Sequence, residues 1–81
     1  MMLTDEEIAE AVIRMNGRDA TWLMKASMLP SVWTTINMGL MGWQMEHYGL
    51  IETWKGLARP TELGRTAAEI YCKMSGLKIK R

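Results

Sequence analysis

The sequence predicts a mainly α domain with a small β-hairpin, and three observations carry that reading. Apolar residues recur at helical spacing behind capping residues at Thr4, Asp19 and Thr61. One stretch, Leu50-Ile51-Glu52-Thr53-Trp54, alternates as a strand does and runs into the turn pair Lys55-Gly56. The chain has 81 residues with no linker, repeat or low-complexity tract, which is the length of one small domain over residues 1–81.

The first helix opens at Thr4. Glu7 stands three residues on, so the two residues can cap each other's backbone, and Asp5, Glu6 and Glu7 meet the positive end of the helix dipole. Ile8, Ala11, Val12 and Met15 form its apolar face, and Asn16-Gly17, both tolerant of left-handed backbone, are expected to end it. Asp19 then caps a second helix over residues 20–28, with Trp22, Leu23 and Ala26 inward. Leu29-Pro30-Ser31 breaks it, because proline disfavours helix at the residue before it.

A third helix is expected to end at Tyr48 with Gly49 as a left-handed cap. Two starts are open: Ser31 capping a long helix, or Thr34 capping a shorter one in which Met38, Met41 and Met45 share a face. Gly39 and Gly42 weaken this helix by about 1 kcal/mol each, which points to close packing against another helix. Leu50–Trp54 and Leu57–Arg59 form the hairpin, with Pro60 confining the second strand to an edge. Thr61 caps the last helix, whose apolar face is Leu63, Ala67, Ile70, Tyr71 and Met74, and Gly76 ends it. The basic tail Leu77-Lys78-Ile79-Lys80-Arg81 is expected to fray.

A domain of this size buries only roughly 60–65% of the surface of its unfolded chain, so its large apolar residues must be used well. Phe is absent, and four Trp and nine Met join Leu and Ile in supplying bulk. Most of the methionines are expected to fill irregular core gaps. Cys72 is the single cysteine, which excludes an internal disulfide; with one histidine, His47, neither a metal cluster nor a cofactor is expected. His47 beside Glu46 reads as a cation at a helix end, and Cys72 as an inert thiol near the last helix's apolar face, so no enzyme is expected. No apolar run reaches the roughly 18–20 residues of a membrane span, and the N-terminus lacks a basic, apolar leader. The expectation is a soluble, cytoplasmic protein. The formal charge is +1 but unevenly spread. Residues 1–24 set Asp5, Glu6, Glu7, Glu10 and Asp19 against Arg14 and Arg18, whereas residues 25–81 set eight Lys and Arg against Glu46, Glu52, Glu62 and Glu69.

Two stretches carry a resemblance. In Met45-Glu46-His47-Tyr48-Gly49-Leu50-Ile51-Glu52 a glycine turns a helix into an apolar strand. Arg59-Pro60-Thr61-Glu62-Leu63-Gly64-Arg65 looks like an "LTxxGR" entry from a wing into a last helix. In this order, across roughly residues 4–74, the chain resembles the winged-helix (winged helix-turn-helix) family. That fold has three helices, a two-stranded wing and a C-terminal helix, and the similarity is strongest to small bacterial or phage regulators of the MarR and PadR kind.

The resemblance implies duplex DNA as the partner, with the third helix in the major groove and the hairpin on phosphate or minor groove. It implies a transcription regulator that occupies an operator as a dimer. It also implies Ser31, Thr34, Thr35 and Asn37 at the leading end of the reading helix, with Gln44 farther along. Lys25, Lys55 and Arg59 would neutralise phosphates. Against readout, Thr34 is better explained as a helix cap, Asn37 serves equally well as a local backbone partner, and each lysine suits a solvated face. The chain departs from the pattern in having no Lys or Arg on its reading helix, where Glu46 sits instead. The alternative is a protein-interaction module of the same fold, such as a phage-encoded adaptor or inhibitor of a host complex. Its docking patch would be Trp33, Met38, Met41 and Trp43.

Overall fold

Local caps set the helix boundaries. In the computed structural model, which describes residues 3–29 and 31–76 without the side chains of Leu40 and Met41, α1 runs Asp5–Arg14. Its capping box forms: the Glu7 N–H donates to Thr4 Oγ1 (3.1 Å) and the Thr4 N–H to Glu7 Oε1 (3.4 Å). Met15 closes α1 in an extended conformation, so Asn16-Gly17 is not its left-handed end. Asn16 is instead the N-cap of α2 (Gly17–Ala26), its Oδ1 accepting from the Asp19 N–H at 2.8 Å. Asp19 therefore lies buried inside the first turn rather than capping it. Asn16 and Asp19 are both capping types, and the earlier one starts the helix. The helix ends at Ala26, short of residue 28; Pro30 and the tail 77–81 lie outside the described residues.

The segment expected to begin the third helix is extended. Thr34–Thr35 forms β1, with Thr34 opposite Ala58 and Thr35 opposite Leu57. The run Val32 to Ile36 is rich in β-branched and aromatic side chains, which favour a pleated backbone. Neither Ser31 nor Thr34 caps a helix, and the Thr34 hydroxyl donates to the Val32 carbonyl at 3.4 Å. Helix begins only at Met38–Gly42, a π-helical turn in which the Gly42 N–H reaches back to the Asn37 carbonyl (3.1 Å). It continues into α3 (Trp43–His47). Gly49 then takes a left-handed φ of 74°. The Gly49 N–H bonds the Glu46 carbonyl and the Leu50 N–H bonds the Met45 carbonyl, a Schellman turn that satisfies the helix end.

The hairpin forms as β2 (Ile51–Trp54) and β3 (Leu57–Pro60). Lys55 (φ 50°) and Gly56 (φ 79°) make the two-residue turn, and their shared left-handed backbone is the primed type that matches strand twist. The sheet has three strands, not two, in the order β1-β3-β2. That order puts β3 in the centre, contrary to the edge position expected from Pro60. Proline is tolerated there because β1 pairs no farther than Ala58, leaving Pro60 paired with Ile51 alone.

Thr61 caps α4 (Glu62–Ser75), accepting from the Gly64 N–H at 3.1 Å, and Gly76 ends it with φ 71°. The α4 helix packs against both α1 and α2. Among the described residues Leu23, Met45 and Leu50 are the largest fully buried side chains, in one core with Ala11, Ala20, Ala58, Ala67 and Ala68. These alanines let the helices and sheet approach closely. The glycine that close packing requires is Gly64: a Cβ there would fall on the Leu50 carbonyl and lie 3.2 Å from Leu23. Gly39 and Gly42 face no second helix, since a Cβ at Gly42 would meet Met38 Sδ at 2.5 Å within its own segment. Met15 and Met45 fill the core, whereas Met28 and Met74 are exposed. Met74 was expected on the buried face; it lies on the last turn of α4, beside an open hollow bordered by α1. Among the described residues no helix is long and apolar enough to cross a membrane.

Candidate nucleic-acid interface

Eight residues were expected to meet DNA, and the fold distributes them over four places. Lys25 is exposed in the last turn of α2, and Ser31 is exposed in the turn after it. Thr34 and Thr35 are in β1 rather than on a reading helix, and Thr35 lends its carbonyl to the Trp22 indole N–H (3.3 Å). Asn37 precedes the π-turn, where its Oδ1 accepts from the Gly39 N–H at 3.0 Å. The local backbone role weighed for Asn37 is thus realised. Gln44 is exposed on α3. Lys55 is at the hairpin tip, and Arg59 is half-buried on β3.

Two clusters of aromatic and cationic side chains emerge. On the sheet, Trp33 and Trp54 have ring centroids 5.8 Å apart, tilted by 40°. The Lys55 ammonium lies 4.8 Å from the Trp54 ring centre, and the Arg59 guanidinium 4.4 Å from that of Trp33. Glu52 fixes Arg59 by accepting from its Nε at 3.0 Å. On α3, the Trp43 and His47 rings are nearly parallel (9°) with centroids 6.1 Å apart, as their spacing of four residues allows. His47 meets Tyr48 edge-on, and Arg14 lies 4.6 Å over the Tyr48 ring.

The docking patch imagined for the adaptor reading therefore divides. Trp33 is half-buried in the sheet cluster, Trp43 is 70% exposed in the helix cluster, and Met38 is half-buried. The side chain of Met41 lies outside what is described. The strand alternation places Trp54 at a strand end and assigns it no site. Its signal lay in the pair Trp54-Lys55: a bulky ring at a strand end beside a lysine in a left-handed position carries the ammonium back over the indole.

Electrostatics separate the surface from the interior. Glu46, the acidic residue of α3, accepts a hydrogen bond from the Thr53 hydroxyl, which ties α3 to β2. Burial pushes the Cys72 thiol up from its ordinary value, keeping it protonated at neutral pH. Burial likewise raises the Asp19 carboxyl, against the opposing pull of its hydrogen bond at Asn16 and of Arg18.

No protein-family model matches the chain, and neither a curated protein nor a solved structure matches it.

Proposed function

We propose that this chain is a small DNA-binding module of the winged-helix type, acting as a bacterial or phage transcription regulator that occupies an operator as a homodimer. One observation carries the reading. The Schellman turn at Gly49 passes α3 directly into a ribbon whose tip bears Lys55, so an exposed helix face and a cationic hairpin form one continuous stretch. The sheet order β1-β3-β2 and the Thr61 entry into α4 support the same arrangement.

The roles shift from those first expected. With Thr34 and Thr35 in a strand, Gln44 becomes the base reader, since its amide can accept from N6 and donate to N7 on the major-groove edge of an adenine. Lys25, Lys55 and Arg59 neutralise phosphate, and the Ser31 hydroxyl lines the same hollow as Arg59. Thr53 holds Glu46 toward the sheet, which reduces its repulsion of the backbone.

A second reading draws on Trp43. It is 70% exposed and stacked on His47, and no Lys or Arg accompanies it in residues 38–47. An apolar ledge of this kind suits a protein partner. A gel-shift series on random duplex at rising salt separates the two. Three phosphate contacts per protomer, six in the homodimer, give a slope of about −5 in log affinity against log salt. Absence of binding at low salt, together with one co-purifying protein, would sink the DNA reading in favour of the adaptor.

A further inference from the structure

Trp33 and Trp54 reach the same patch of sheet surface from different elements, one ahead of β1 and the other at the end of β2. Neither belongs to the buried core or to the side chains packed on it, and Trp54 is 53% exposed. Two large indoles thus meet outside the core, each with a cation on its face.

We propose that Trp33, Trp54, Lys55 and Arg59 form a stacking platform for one unpaired base of a DNA strand. The domain would then grip DNA carrying an unstacked nucleotide in preference to continuous duplex. This rests on the DNA-binding reading and adds the state of the DNA that is bound. Aromatic faces stack any base, and flanking cations take the phosphates on either side. The Lys55 ammonium already sits over Trp54, and its flexible stem lets a base displace it from the ring while it moves to a phosphate. Glu52 accepts from Arg59 Nε while the guanidinium carbon lies 4.4 Å from the Trp33 ring centre.

Two further observations agree. Lys55 occupies a left-handed position (φ 50°) that asparagine or glycine adopts with less strain, so its ammonium is kept where turn chemistry favours another residue. Beside the platform lies a hollow of about 350 Å³ lined by Ser31, Glu52, Arg59, Glu62 and Arg65. Arg59 borders both, so a phosphate next to the stacked base would meet two guanidinium groups, with Glu52 and Glu62 limiting how much charge it sees. A proline-rich peptide also suits paired tryptophans, but it offers no anionic group to Lys55, which a phosphate beside a stacked base would meet.

The test is a titration followed by tryptophan fluorescence and anisotropy. The probes are an oligothymidine strand, a blunt duplex and the same duplex with one unpaired thymidine. The bulged duplex and the single strand are expected to bind roughly tenfold more tightly than the blunt duplex and to quench fluorescence. Trp54→Ala is expected to abolish that preference, and Trp54→Phe to restore part of it. Lys55→Asn suits the turn and keeps the fold, so its expected severalfold weakening, with a shallower salt dependence, reports lost contact and not lost structure. Equal or tighter binding of the blunt duplex overturns the platform and leaves the regulator reading intact. An unchanged preference in Trp54→Ala overturns it as well. Binding of no DNA at all removes both, and quenching by a proline-rich peptide in place of DNA overturns the platform in favour of a peptide site.

Discussion

Gly64 and Asp19 show how much a single position contributes in a domain this small. At Gly64 the first turn of α4 rests on the Leu50 carbonyl, and the Thr61 N–H donates to that same carbonyl at 3.0 Å. Backbone cannot yield as a side-chain end does. Gly64→Ala is expected to cost about 3 kcal/mol by overpacking, read as a fall in the urea midpoint at constant slope. A Cβ at Gly42 comes too close only to the flexible end of Met38, with Ile36 and the Asn37 carbonyl at ordinary contact distance, so Gly42→Ala is expected to cost less than about 1 kcal/mol, since alanine also favours helix. Asp19 acts through pH. Its folded-state pKa is raised above the ordinary 3.8 by burial, so the folded state holds its proton more strongly than the unfolded chain. Stability from this group is therefore greatest below 3.8 and declines as pH rises through the folded value, after which it is level. Asp19→Asn is expected to remove that decline. Urea midpoints for both proteins across about pH 3 to 7 check it; the same decline in the variant would assign it to another group.

At the scale of elements, the hairpin is held at its base by Thr61. Its hydroxyl donates to the Gly49 carbonyl (2.6 Å) and accepts from the Gly64 N–H (3.1 Å), so one side chain joins the exit of α3 to the start of α4. Thr61→Ala is expected to lose about 1–2 kcal/mol, the upper range for a helix cap, and Thr61→Ser to retain most of it. Thermal melts of the two variants distinguish a cap from a merely buried methyl, which serine would also lack. Among the elements, α1, α4, the Gly49 turn and the hairpin were legible because each is specified by neighbours in sequence: a box, a cap, a glycine, an alternation. The start of the third helix was not. Thr34 is a good cap type, yet its segment finds a ladder on Ala58 and Leu57, residues more than twenty positions away. Pairing on a distant strand outweighs a local cap.

At the scale of the whole molecule, α1 and α4 leave an apolar hollow of about 460 Å³ between them, where Ile13 and Met74 are 81% and 77% exposed. A homodimer of the kind proposed for operator binding would gain apolar contact by covering this face. Sedimentation is expected to show a dimer that Ile13→Glu converts to a monomer, with unchanged circular dichroism; a wild-type monomer at high concentration would rule that dimer out. The candidate site divides along the same line as the fold. The cations Lys55 and Arg59 were legible from the hairpin pattern, whereas the partnership of Trp33 with Trp54 was not, because it depends on β1 lying beside β3.

By itself the amino-acid sequence determined the caps at Thr4, Thr61 and Gly76, the helix-to-ribbon turn and the hairpin, since those are contacts within a few residues along the chain. Only tertiary structure decided the third strand, the central place of β3, the bare backbone contact at Gly64 and the meeting of two tryptophans over two cations. Each of those joins segments far apart in sequence, where competing local preferences are close in energy and burial and strand pairing choose between them.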